Sequence, residues 1–228
     1  LRAIQNSNNA IKLITPRHES GVTFAAEAFG KLTGRPAAGF VSRGPGATNA
    51  SIGVHTASQD STPLLLFVGH VPTTSKGREA FQEIDYHQMF GKMAKAVLEP
   101  ESSTQIAEVV ARAVALTTAG RPGPVIVVMP KDITEGDAGD ASPPALRPRA
   151  RAGMAPDDVT EAAALINRAK KPILIAGEMI AIDDATPALV AFAEASGVAV
   201  ATAYRRQDTF PNEHAAYCGH LEINRVAF

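Results

Sequence analysis

A single cysteine, Cys218, excludes an intrachain disulfide framework and any cluster of thiolate metal ligands, and fits a reducing cytoplasm. Charge of one sign is also lacking. The 22 basic and 23 acidic residues nearly cancel and form no long run, so the chain has no basic footprint for a nucleic acid. Long apolar runs are missing as well: Pro63 to Gly69 and Pro124 to Met129 are far shorter than the roughly 20 residues a spanning helix needs, and no membrane segment is expected. The first residue is Leu1 rather than methionine, no basic segment leads into an apolar one, and Arg225 to Phe228 carry no polar tail. The expectation is a piece of a longer chain.

What the sequence does hold is 45% hydrophobic residues in 228, enough for one large core or two ordinary ones. Short β-branched runs alternate with alanine-rich amphipathic stretches, the pattern of an α/β protein with a parallel sheet flanked by helices. Strands are expected at Ile11–Thr15, Ala38–Ser42, Pro63–Val68 and Val125–Met129. A helix should begin near Glu19, with Val22, Ala25, Ala26, Phe29 and Leu32 on its inner face and Gly34 ending it. Others should follow Gly44-Pro45-Gly46 and run from about Thr104 to Thr118. From Gly136 to Pro156 the composition turns to Gly, Asp, Pro, Ser and Arg, which reads as a linker. Beyond it, helices near 157–169 and 185–196 and strands at Ile173–Ala176 and Val198–Ala201 suggest a partial second α/β domain over 157–228.

Ligands of open parallel sheets collect beyond the carboxyl ends of the strands, so chemistry is sought just after each strand. Thr15-Pro16-Arg17-His18-Glu19 delivers a carboxylate to the start of a helix; taken alone, this is an acid favoured by the helix dipole at ~0.3–1 kcal/mol. Ser42-Arg43-Gly44-Pro45-Gly46-Ala47-Thr48-Asn49 is a tight turn leading into a helix, where glycine permits close backbone approach and free N–H groups meet a ligand. It matches neither dinucleotide nor P-loop fingerprints. Gly69-His70-Val71-Pro72 and Ala80-Phe81-Gln82-Glu83 gather polar side chains after the most apolar strand; alone, His70 and Gln82 would be solvated loop residues.

In order and spacing these segments resemble the pyrimidine-binding domain of thiamine diphosphate-dependent enzymes of the acetolactate synthase type. Asp60-Ser61-Thr62-Pro63, Gly120-Arg121-Pro122-Gly123-Pro124-Val125 and Met129-Pro130-Lys131-Asp132 extend the match, and Lys171 to Gly177 with Phe210-Pro211 resemble the opening of the family's central domain. The resemblance implies a pyrimidine-binding domain over 1–135 with its first strand missing, a linker at 136–156 and a partial central domain at 157–228. It also implies a 2-oxo acid substrate such as pyruvate, a homodimer or homotetramer, Mg²⁺, and FAD as a further cofactor the central domain admits. Glu19 would hydrogen-bond N1′ of the aminopyrimidine so that the 4′-imino nitrogen can take the proton from thiazolium C2, and a poorly solvated setting would raise its pKa. Gly44, Pro45, Gly46 and Asn49 would line the cofactor site with Glu19; His18, Arg43, His70, Phe81, Gln82 and Lys95 would border the substrate.

The family's Gly-Asp-Gly motif and the paired asparagines that follow it are not in the sequence, which places the Mg²⁺ ligands on another domain and makes the fragment alone catalytically silent. Acetolactate synthases usually carry Gly-Gln-Val-Pro where this chain has Gly69-His70-Val71-Pro72, a histidine shared with the pyruvate oxidase branch. Other branches, of oxalyl-CoA decarboxylase or aldehyde lyase type, and a non-catalytic flavin- or nucleotide-binding or subunit-assembly module are the alternatives.

Overall fold

A computed structural model describes residues 11–139, 144–145 and 153–221. The chain forms two compact units, Leu1–Arg149 and Ala150–Phe228.

In the first unit, helix α1 (Glu19–Thr33) leads into strand β1 (Ala37–Val41), helix α2 (Pro45–Gln59) and strand β2 (Leu64–His70). A short helix α3 (Tyr86–Phe90), strand β3 (Ala96–Leu98), helix α4 (Ile106–Thr118), strand β4 (Pro124–Pro130) and helix α5 (Lys131–Glu135) follow. The four strands form one parallel sheet in the order β1-β2-β4-β3. Strands β2 and β4 lie inside it and are covered on both faces, which is why they read as unbroken apolar runs. Leu64, Leu66, Val68, Ile126 and Val128 face Ala47, Ala50, Val54 and Phe90 of the helices on one side, while Leu65, Val125 and Val127 face Ala113 of α4 on the other.

Helix α1 ends where expected, with Gly34 at φ 67° donating its N–H to the Gly30 carbonyl. Its inner face differs from the expected one. Thr23, Ala26, Glu27 and Gly30 are buried, whereas Phe29 is 43% and Leu32 83% exposed. Close approach is the reason. A Cβ on Gly30 would lie 2.4 Å from the Pro63 carbonyl oxygen, and one on Gly53 of α2 would lie 2.2 Å from Thr23 Oγ1, so only small residues fit between these elements.

The strand expected at Ile11–Thr15 does not form. Among the described residues no strand pairs with its backbone, and Ile11, Leu13 and Ile14 are more than half exposed. Strand β3 and helices α3 and α5 were not anticipated; each is five residues or fewer, too short for a periodic signal.

The second unit contains helix α6 (Pro156–Arg168), strand β5 (Ile173–Ala176), helix α7 (Glu178–Ile182), helix α8 (Thr186–Ser196), strand β6 (Ala199–Thr202) and strand β7 (Tyr217–His220). Its sheet is parallel, in the order β5-β6-β7, with Ala176, Ala193, Val200 and Phe210 in its core.

Candidate functional site

A 15-residue helix spans about 22 Å, so α1, whose last turn feeds the amino end of β1, begins near the carboxyl end of the sheet. His18 caps it: Nδ1 accepts the Ser20 N–H at 3.2 Å and pairs with Ser20 Oγ at 2.8 Å. Glu19 is the first helical residue. Asn49, on the second turn of α2, donates from Nδ2 to Glu19 Oε2 at 3.1 Å. Thr23, one turn further along α1, donates to the carbonyl of Ala50, next to Asn49, at 3.0 Å.

The carboxyl of Glu19 is held below its ordinary value, first by its own backbone N–H and then by the Asn49 amide, with the nearby His18 adding to the effect. The expected upward shift is therefore not found in this chain. The side chain is half-buried at a helix N-terminus, where donors favour the anion and outweigh the desolvation that opposes them.

The turn after β1 is shaped by its glycines. Gly44 has φ 55° and ψ −108°, and a Cβ there would lie 2.7 Å from the Gln82 carbonyl oxygen. On Gly46 a Cβ would lie 2.6 Å from Ser42 Oγ. Pro45 opens α2, where its missing N–H costs nothing. Tyr86 fastens this turn to the end of β2: its hydroxyl accepts the Gly44 N–H at 2.8 Å and donates to the Gly69 carbonyl at 3.2 Å. Tyr86 was not singled out from sequence. Its only signal would have been an aromatic residue with a polar tip among apolar neighbours.

His70 is the last residue of β2 and is buried, not the solvated loop residue its position suggested. Its ring meets Tyr86 edge-on at 4.9 Å, and Nδ1 has no hydrogen-bond partner. Burial, then the charge of Lys76, pushes its pKa down. Gln82 sits in the left-handed region, φ 64°, against Gly44. Next to it Glu83 gathers the N–H groups of Gly77 at 2.6 Å and Ala80 at 3.0 Å.

The predicted residues thus fall into separate groups. Glu19, His18 and Asn49 meet where α1 and α2 begin. Arg43, His70 and Gln82 line a cleft of about 620 Å³ whose apolar wall includes Phe40 and Phe67, stacked at 4.5 Å; Glu19 is not in that wall. Phe81 is 77% exposed on its loop. Lys95 is not brought to any of these: it precedes β3 at the amino end of the sheet, where its ammonium binds the carbonyls of Ala119 and Arg121. Among the described residues no group of three or more His, Cys, Asp or Glu could hold a metal ion, and no helix is long and apolar enough to cross a membrane.

In the second unit, Arg206 fills the space after β5 and β6. It is bidentate to Asp208 at 2.9 and 3.0 Å and pairs with Glu178 at 2.7 Å, the first residue of the helix after β5.

Comparison with known proteins gives a consistent result. The family model for the thiamine pyrophosphate enzyme N-terminal TPP binding domain matches residues 1–89, and that for the thiamine pyrophosphate enzyme central domain matches residues 159–226. The chain is 33% identical over 216 residues to the acetolactate synthase large subunit of Corynebacterium glutamicum, covering 93% of this chain and 34% of that protein. It is 32% identical over 219 residues to a probable acetolactate synthase large subunit of Methanocaldococcus jannaschii, covering 92% and 37%. With the mitochondrial acetolactate synthase catalytic subunit of Aspergillus candidus the identity is 35% over 201 residues, covering 82% and 29%. The chain spans about a third of the length of these relatives.

Proposed function

The chain belongs to the thiamine pyrophosphate enzyme family, and from that premise we propose that it supplies the pyrimidine-binding half of an acetolactate synthase-like active site, a carboligase or decarboxylase acting on 2-oxo acids such as pyruvate. One observation carries this reading: the Glu19 carboxylate, oriented by Asn49, stands at the start of α1 beside the glycine turn that opens α2. The donor set fits the cofactor. A carboxyl group can share a proton with N1′ of an aminopyrimidine, and Gly44 and Gly46 let the turn before α2 pack closely against Gln82 and Ser42.

Thiamine diphosphate supplies the carbon nucleophile and the electron sink when bound. Glu19 holds and returns a proton at N1′. The turn from Arg43 to Gly46 gives the ring a rigid wall because Tyr86 ties it to β2. His70, whose pKa burial lowers, presents an imidazole beside Arg43 and Gln82, where a 2-oxo acid carboxylate would meet the guanidinium.

Glu19 is only half-buried in the single chain, so the reading includes a second subunit that closes the site and excludes water, in a homodimer or homotetramer. Mg²⁺ and the diphosphate are assigned to another domain of the assembly, since the Gly-Asp-Gly signature is not in this sequence. FAD is a further cofactor that the central domain would admit. The relatives named acetolactate synthase favour that branch, while His70 at the end of β2 favours a pyruvate oxidase-like one; products formed from pyruvate, oxalyl-CoA and benzaldehyde by the longer protein distinguish them.

The test is Glu19→Gln in the longer protein loaded with thiamine diphosphate and Mg²⁺. Exchange of the C2 proton should slow by orders of magnitude while the fold is kept, because the amide cannot pass a proton to N1′. Unchanged exchange would remove Glu19 from the mechanism. The 228-residue chain alone is expected to show no decarboxylation of 2-oxo acids, and turnover by it would refute the half-site reading.

A further inference from the structure

Asn49 entered as a residue that lines the cofactor site, yet its amide is already engaged. Nδ2 donates to Glu19 Oε2 at 3.1 Å, and the geometry that makes this contact is fixed from several sides. On α1, Thr23 lies one turn beyond Glu19; on α2, Ala50 is the neighbour of Asn49. The Thr23 hydroxyl joins the two at 3.0 Å, so the helices are pinned within one residue of the Asn49 amide. Gly53, one turn further along α2, allows that approach, because a Cβ there would lie 2.2 Å from Thr23 Oγ1. The start of α2 is in turn held by the Tyr86 hydroxyl through the Gly44 N–H. Glu19 and Asn49 thus stand on two helices that are joined close to their contact.

We propose that Asn49 is a positioning residue, which holds one oxygen of the Glu19 carboxylate so that the remaining acceptor positions are aimed at the pyrimidine site. A carboxylate offers two oxygens and about four lone-pair positions, so this bond leaves room for a ligand. An unanchored glutamate would sample several rotamers, and holding it in one is what a group that must meet a single ring nitrogen requires. The amide suits the task because it donates without adding a charge. A lysine would bind the carboxylate as an ion pair, and an aspartate would repel it. The inference rests on the proposed function for its purpose, but the Asn49–Glu19 contact stands independently of any cofactor.

The groups facing the Glu19 carboxyl are its own backbone N–H, the His18 imidazole from the cap of α1, and the neutral Asn49 amide from α2. Removing the amide donor destabilises the anion, so the carboxyl should titrate at higher pH. The measurement is a pH titration of the Glu19 side-chain carbon by ¹³C NMR in the 228-residue chain, for the natural sequence, Asn49→Ala and Asn49→Asp. The midpoint is expected to rise by about half a unit in the alanine variant. In the aspartate variant it should rise further, because a like charge replaces a donor. Backbone amide spectra should be retained in both, since Asn49 is exposed. A midpoint unmoved by Asn49→Ala, with the spectrum retained, would overturn the proposal.

In the longer protein, Asn49→Ala should leave the affinity for thiamine diphosphate within about twofold but slow C2 proton exchange at saturating cofactor by about tenfold or more. Weaker cofactor binding with unchanged exchange would make Asn49 a ligand of the cofactor and refute the positioning role. These outcomes are separable from failure of the function itself. Were Glu19→Gln to leave exchange unaffected, the functional reading would fall while the shift in the carboxyl titration remained.

Discussion

Tyr86 shows how a single hydroxyl can hold two chain segments that are far apart in sequence. It is buried, and the Gly44 N–H it receives is buried with it, so Tyr86→Phe leaves a main-chain donor without a partner. The expected loss is about 1–3 kcal/mol in urea unfolding, with little change in packing because the ring is retained. A loss below the error of the measurement would mean that water or a shifted turn satisfies Gly44 instead. Glu83 acts on the neighbouring loop through its charge. The N–H groups of Gly77 and then Ala80 hold its carboxyl below the usual carboxylate range. A depressed folded-state pKa means that the contribution is present above the unfolded value and is lost as pH falls through the folded one. Amide exchange protection of residues 77–85 should therefore be high at pH 6 and fall towards pH 3, and Glu83→Gln should remove that dependence. A variant with the same pH response would show that another group governs the loop.

At the scale of elements, the tight pairing of α1 with α2 decides what each helix can carry. Gly53→Ala should cost about 1–3 kcal/mol, since Thr23 must move away from Ala50 to admit the methyl group. Leu32→Lys should change the stability of the single chain by no more than about 0.5 kcal/mol, because Leu32 is 83% exposed. Denaturation midpoints of the two variants would test this, and reversed magnitudes would contradict the observed helix face. That face was misread in the sequence because periodicity assigns large apolar residues inward, whereas here backbone proximity selects small ones. The long apolar strands, both ends of α1 and the start of α2 were legible, the strands being set by burial on both sides, the end of α1 by Gly34 and the start of α2 by Pro45. Strand β3 was not, since three residues carry no period, and Ile11–Thr15 read as a strand because local preference says nothing about whether a neighbour exists to pair with. Of the candidate site, Glu19 and the glycine turn could be located from their motifs. The bond from Asn49, the clasp by Tyr86 and the distance of Lys95 from the rest depend on how elements stack, which residue types alone do not specify.

Across the first unit as a whole, the segments that resemble the enzyme family lie at opposite ends of one sheet and do different work. At the carboxyl end lie His18-Glu19, the Gly44–Asn49 turn and His70, which carry the proposed chemistry. At the amino end, Asp60 pairs with Lys31 at 2.5 Å, Thr62 donates to the buried Glu27 at 3.3 Å, and Arg121 bonds Ser61 Oγ at 2.8 Å and the Ser58 carbonyl at 3.1 Å. Those contacts close the turns before β2 and β4 and contain no group open to a ligand at the Glu19 end. Seven residues of extended chain, the length of β2, put about 23 Å between the two ends. Interactions this far apart, with no shared partner, should be independent. Arg121→Ala is expected to lower unfolding free energy by about 1 kcal/mol through its lost hydrogen bonds and to leave the Glu19 titration midpoint where it was. Asn49→Ala should do the reverse, moving the midpoint with little loss of stability. In the double variant both effects should appear together, additive to within ~0.3–0.5 kcal/mol in unfolding and unchanged in midpoint shift. Coupling beyond that margin would mean that the sheet transmits strain between its ends, so that the amino-end motifs also tune the Glu19 site.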